Sequence, residues 1–285
     1  MTSASQFTDP CTEHGEGPFW DAVGGRLLVM DLLRGAIVAV GRTGETERHE
    51  IGGVTAAMRA RRDGGFVLAT ERGFQLLHAD FRPDGEEVAA FADPLLRMND
   101  GGCDPQGRFY CGSMAYADTP EAGSLYRLDP DLSVHCVLSG VSISNGLQWH
   151  ADGHHAYYND TPTRRVDLFD FDPDAGRLTG GRPFVDVGPG VGLPDGMAAD
   201  DAGGVWIALW GGGAVHRYDE TGHLTERITL PVSQVTACAF GGPDGATLYI
   251  TTSRLGRSDG PEPSAGAVFV AETGYRSAPV HGFAG

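Results

Sequence analysis

Short apolar runs separated by Gly-, Asp- and Pro-rich turns recur along the chain, and no long segment keeps a helical period. Six segments share one pattern. They are GEGPFWDAVGGRLLVMD from Gly15, VTAAMRARRDGGFVLATE from Val54, MNDGGCDPQGRFYCGSM from Met98, SNGLQWHADGHHAYYND from Ser144, PDGMAADDAGGVWIALW from Pro194 and VTACAFGGPDGATLYITT from Val235. Each reads as a strand, a tight turn and a second strand rich in β-formers. Most continue into a third strand, such as GSLYRLD from Gly123 or GAVHRYD from Gly213. A further turn and strand complete a four-stranded unit of roughly 40 to 50 residues, the period of propeller blades. Six such units fill nearly all of the 285 residues. The expectation is an all-β, six-bladed β-propeller over residues 1–285 without an internal domain boundary. A sandwich or two stacked barrels would not require a repeat of this length. Ser3 to Pro10 are expected to supply a strand to the last blade and close the ring.

The first strand of each propeller blade lines the central channel. Equivalent positions in successive repeats therefore form a ring. The residue preceding the aligned Gly or Ala is Glu16, Thr55, Asp100, Asn145, Asp195 or Thr236. All are polar, although acids are poor strand formers. Singly, Asp and Asn at such positions cap strand starts or bond turn backbones. Recurrence at one repeat position favours a shared site. Oxygen-only donors suit a hard divalent cation such as Ca²⁺, Mg²⁺ or Mn²⁺.

Charge and composition narrow the partners. The formal net charge of −17 disfavours nucleic acid and anionic membranes. No apolar stretch approaches the length of a membrane span, and the first residues lack the basic and apolar regions of a secretory signal. Five cysteines without CxxC spacing argue against a disulfide framework or a cysteine zinc site, so a cytoplasmic location is the expectation. The sequence leaves oligomeric state open. GxSxG and HExxH motifs are absent.

The chain resembles the gluconolactonase, senescence-marker-protein and regucalcin family of six-bladed propeller lactonases. The matching motifs are Gly15-Glu16-Gly17-Pro18 with Trp20, Arg97-Met98-Asn99-Asp100-Gly101, Gly107-Arg108-Phe109 with Gly112-Ser113-Met114, and Gly123-Ser124-Leu125-Tyr126. They continue with Ser144-Asn145-Gly146-Leu147 and Trp149, then Pro194-Asp195-Gly196-Met197 and Trp210-Gly211-Gly212. The resemblance implies a divalent metal held by Glu16, Asn145 and Asp195, with Ca²⁺ foremost and Zn²⁺, Mg²⁺, Mn²⁺ or Fe²⁺ as alternatives. It implies substrate contacts from Arg97 and Asn99, and so prefers Asn99 to the Asp100 picked by repeat alignment. The family's acidic substrate contact after its Gly-Ser/Thr-Met motif falls here on Ala117, between Tyr116 and Asp118, which leaves Asp118 as the candidate contact.

The implied reaction is hydrolysis of a small cyclic ester, most simply a sugar lactone, with Asp195 as metal ligand and general base. A phosphotriesterase or other ester hydrolase on the same site, and a calcium-binding propeller without catalysis, are the alternatives. His154 and His155 in a hairpin turn read as surface residues, and His14 and His150 as structural ones. Trp20, Trp149, Trp206 and Trp210 read as packing between blades, Arg59 to Arg62 as a solvated edge, and Cys103 and Cys111 as buried inert thiols.

Overall fold

The computed structural model describes residues 2–257 and 262–285. They form six sheets, one per repeat. Blade 1 comprises Gly15–Asp21, Arg26–Asp31, Ala36–Val40 and Thr46–Glu50, and blade 2 comprises Ala57–Ala60, Phe66–Ala69, Gly73–Leu77 and Val88–Ala89. Blade 3 comprises Leu96–Cys103, Phe109–Ala115, Gly123–Leu128 and Val134–Val141. Blade 4 follows with Ser144–Trp149, His155–Asp160, Arg165–Asp172 and Arg177–Asp186. Blade 5 comprises Leu193–Ala199, Val205–Trp210, Ala214–Tyr218 and Leu224–Thr229. Blade 6 takes Val235–Gly241, Thr247–Thr252 and Phe269–Glu272 from the end of the chain and Ser5–Gln6 from its start. The expected six-bladed propeller is the observed fold.

Apolar side chains from neighbouring blades meet in shared clusters. Phe19, Leu28, Met30 and Ile37 of blade 1, for example, pack with Met58, Phe66 and Leu68 of blade 2. A second strand such as Arg26–Asp31 is thereby buried on both faces. This explains why its sequence is a continuous apolar run rather than an alternation. The outer strand Thr46–Glu50 is largely exposed and correspondingly charged.

Two terminal segments tie the ring. Ser5 and Gln6 pair antiparallel with Val270 and Phe269, as expected for closure. Thr2 and Ser3 run parallel to Ile228 and Thr229 of blade 5, so the chain start clasps two adjacent blades. The C-terminal segment crosses one end of the channel. Its backbone joins Ser277 to Gly245, Ala278 to Ala199, Phe283 to Ala60 and Ala284 to Gly107. Phe283 is fully buried among residues of blades 2 and 3. The Arg59 to Arg62 run belongs to this region and is not simply a solvated edge. Arg59 donates to the Gly101 carbonyl, and Arg61 Nε donates to the carbonyl of Gly285.

The innermost strands of five blades share an irregularity. Pairing shifts register between Glu16 and Phe19, Met98 and Gly101, Asn145 and Leu147, Pro194 and Met197, and Val235 and Ala237. A bulge re-aims the side chain beside it. The Gly in each polar-Gly pair makes room for that bend. At Gly146, with φ 35°, a Cβ would lie 2.5 Å from Asn159 Nδ2 and 2.8 Å from the Asp195 carbonyl oxygen. The polar residue and the Gly are thus two parts of one local device.

Candidate metal and substrate site

The bulges place Glu16, Asn145 and Asp195 on the innermost strands of blades 1, 4 and 5, and all three side chains are buried. One oxygen of each has no hydrogen-bond partner: Glu16 Oε2, Asn145 Oδ1 and Asp195 Oδ1. An unpaired buried polar atom costs about 1–3 kcal/mol. Three such oxygens, each on the same repeat position, form a donor set that fits a hard divalent cation. The Asn145 amide and the Asp195 backbone are pinned from behind. Asn145 Nδ2 donates to Thr161 Oγ1 at 3.0 Å, which donates in turn to the Pro194 carbonyl at 2.9 Å. Asn159 Nδ2 donates to the Asp195 carbonyl at 2.8 Å. These bonds fix the amide so that its oxygen, not its nitrogen, is the free group.

Electrostatics supports the same grouping. Burial pushes the Glu16 carboxyl well above the usual carboxylate range, and the Asp195 and Asp100 charges push it further. Asp195 is raised by burial and then by Asp100, against the opposing pull of the Gly196 N–H, the Asn145 amide and Arg97. Crowded acids of this kind favour protonation unless a cation joins them.

The other ring members have separate work. Thr55 Oγ1 donates to the Ala36 carbonyl and Thr236 Oγ1 to the Gly15 carbonyl, so both staple neighbouring blades. Asp100 is also occupied: Oδ1 accepts the Gly101 N–H at 2.7 Å and Oδ2 the Gly146 N–H at 3.0 Å. Its charge nevertheless reaches both Glu16 and Asp195. Asn99 is buried, donating Nδ2 to the Ser144 carbonyl and accepting Arg97 Nη1 on Oδ1 at 2.7 Å. Arg97 is buried too, and its charge interacts with Glu16, Tyr116 and Asp118. Asp118 stands on an exposed loop after the second strand of blade 3, with φ 51°. Next to it, Tyr116 donates its hydroxyl to Glu71 Oε1 at 2.6 Å, bridging to the blade 2 loop.

His14, structural on the sequence reading, is buried beside Glu16. Its Nε2 lies 3.7 Å from Glu16 Oε1 and its Nδ1 2.9 Å from Ser253 Oγ. Burial, then Arg97, lower its pKa to about 4, so the ring is neutral near pH 7. Trp210 stands edge-on to it at 5.8 Å. The signal was available: His14 precedes Glu16 by two residues, which on a strand places both side chains on one face. Cys103 and Cys111 are buried free thiols, and burial pushes Cys103 up to about 12.

Residues 14–254 match the family model described as SMP-30/Gluconolactonase/LRE-like region. The chain belongs to this family. Its relatives include the pentonolactonase XacC of Haloferax volcanii, 36% identical over 88% of this chain and 85% of that protein. Regucalcin of Oryctolagus cuniculus is 33% identical over 95% of each chain. The solved structure of a calcium-binding protein, regucalcin, from Agrobacterium tumefaciens superposes with a TM-score of 0.90 at 26% identity, covering 99% of this chain and 97% of that one. The family therefore includes sugar lactonases and a calcium-binding member.

Proposed function

We propose that this protein is a divalent-metal-dependent lactonase that opens a small cyclic ester, most simply a sugar lactone. The observation that carries the reading is the set of three unpaired, buried oxygens on Glu16, Asn145 and Asp195. A family relative named as a pentonolactonase supports the substrate class. The oxygen-only donor set and the calcium-binding relative make Ca²⁺ the first candidate metal.

When bound, the cation supplies Lewis acidity toward the ester carbonyl and offsets the charge of the two acids. The chain's own groups do the rest. The Asp195 carboxylate, which would also hold the cation, takes the proton of the attacking water as general base. Arg97 presents a planar cation to substrate hydroxyls, its orientation fixed by bonds from Nη1 to Asn99 Oδ1 and the Met98 carbonyl. Asn99, held between Arg97 and Ser144, orients the ring of the substrate. Asp118 supplies a further polar contact from the exposed turn after the second strand of blade 3.

The test is a pH-stat assay over a panel of lactones and a phosphotriester, with Asp195→Asn alongside wild type. Lactone turnover that falls by about 10²-fold or more in Asp195→Asn is the expected result. Phosphotriester turnover without lactone turnover would select a different hydrolase on this site. Cation binding without any turnover would select a binding protein.

A further inference from the structure

The hairpin between the first two strands of blade 4 departs from its counterparts. In blades 1, 3 and 5 the turn begins with an Asp that accepts turn N–H groups and pairs with an arginine. Asp21 pairs with Arg26 at 3.2 Å, Asp104 with Arg108 at 2.5 Å and Asp200 with Arg217 at 2.6 Å. Backbone bonds give the equivalent in blade 4. His150 N–H donates to the His155 carbonyl and Gly153 N–H to the His150 carbonyl, as Asp104 and Gly107 do in blade 3 and Asp200 and Gly203 in blade 5. His150 thus occupies the Asp position. The carboxylate has moved to Asp152, and no arginine faces it among the described residues' ion pairs.

Two imidazoles take the place of the guanidinium. Asp152 Oδ2 lies 3.0 Å from His150 Nδ1 and 2.7 Å from His155 Nδ1. The three donor atoms all lie within 4.8 Å of one another. Asp152 Oδ1 is tied down by the His154 and His155 N–H groups, which orients the carboxylate. His150 Nδ1 accepts the Asp152 N–H at 3.2 Å, which keeps that nitrogen unprotonated, and a bound ion would take this lone pair in place of the N–H. Behind His155, Nε2 faces Asp170 Oδ1 at 3.5 Å. A carboxylate at the far nitrogen is the usual support of a metal-bound histidine.

From this constellation we infer a second cation site, in which His150 Nδ1, Asp152 Oδ2 and His155 Nδ1 hold a borderline transition ion such as Zn²⁺ and leave one position to water. The ion supplies the positive charge that arginine supplies in blades 1, 3 and 5. Tetrahedral ligands about 2.0–2.1 Å from zinc are about 3.4 Å apart, so the two short contacts need open by only about half an ångström. Imidazole donors select zinc, copper or nickel over calcium, in contrast to the oxygen-only channel site. The turn lies at the opposite end of its strand from Asn145, roughly 16 Å away along five residues. It therefore pins the hairpin and takes no part in the lactonase reaction.

The experiment is calorimetric titration of Zn²⁺ into the full-length, EDTA-stripped chain. In His150→Gln/His155→Gln the number of bound equivalents should drop by one relative to wild type, with lactone turnover retained. In Glu16→Gln/Asp195→Asn one equivalent should remain, and adding the histidine changes should weaken it at least about 100-fold. Co²⁺ bound to the Glu16→Gln/Asp195→Asn protein should show the visible absorption of a four-coordinate ion. Equal stoichiometry and affinity in wild type and His150→Gln/His155→Gln would overturn the inference, whether or not the channel variant folds.

Discussion

Glu16 and Asp195 are carboxylates whose surroundings favour the neutral form. In the unfolded chain such groups titrate near about 4.3 and 3.9. Above those values the metal-free folded protein holds protons that the unfolded chain has lost. Stability then falls with rising pH, because the slope follows unfolded minus folded proton binding. His14 and His216, both lowered to about 4 by burial, pull the other way between pH 5 and pH 7, so the carboxylate contribution is read as a difference between variants. Relative to Glu16→Gln/Asp195→Asn, metal-free wild type should lose melting temperature between pH 5 and pH 7, and added cation should remove that relative loss. Parallel profiles of the two proteins in EDTA over this window would contradict this. Acids held below their usual range, such as Asp172 with the Ala175 N–H and then Arg177 bound to it, act at lower pH and do not compete here.

Among the elements, the hairpin turns carry as much of the molecule as the strands do. Asp200 accepts Trp206 Nε1 at 2.8 Å, the Gly204 N–H at 2.8 Å and Arg217 Nε at 2.6 Å, all buried. Arg217 lies over the Tyr275 ring at 4.0 Å. Removing one partner strands the other charge, so Asp200→Ala should cost about 3–5 kcal/mol in denaturant unfolding. A loss below about 1 kcal/mol would show that water replaces the carboxylate. Blades were legible in the sequence because each repeats a turn, an apolar run and a polar-Gly pair. The bulge was not legible, since register is a property of two strands and each strand's sequence is compatible with regular pairing. Asp100 shows the consequence: repeat alignment placed it in the ring correctly, but only the structure shows both oxygens bound to backbone N–H groups. The blade 4 turn shows another. His155 reads as a surface residue and His150 as a structural one until the hairpin brings their donors together with that of Asp152.

Across the whole molecule, both ends of the chain hold the ring shut. Phe283 comes from the last residues yet is buried between blades 2 and 3. Phe283→Ala should therefore destabilise the protein by about 3–5 kcal/mol, as a large core truncation does. An effect within about 0.5 kcal/mol would mean that the tail is only draped on the surface. Closure also underlies the proposed function, because Glu16 of blade 1 stands more than a hundred residues of chain before Asn145 and Asp195 of blades 4 and 5, and the ring is what brings the first blade round to them. The most direct test of that claim is lactone turnover by EDTA-stripped protein during stepwise add-back of divalent cations. Turnover lost on stripping and restored as the oxygen site fills is the predicted result. Undiminished turnover without any divalent cation would contradict it.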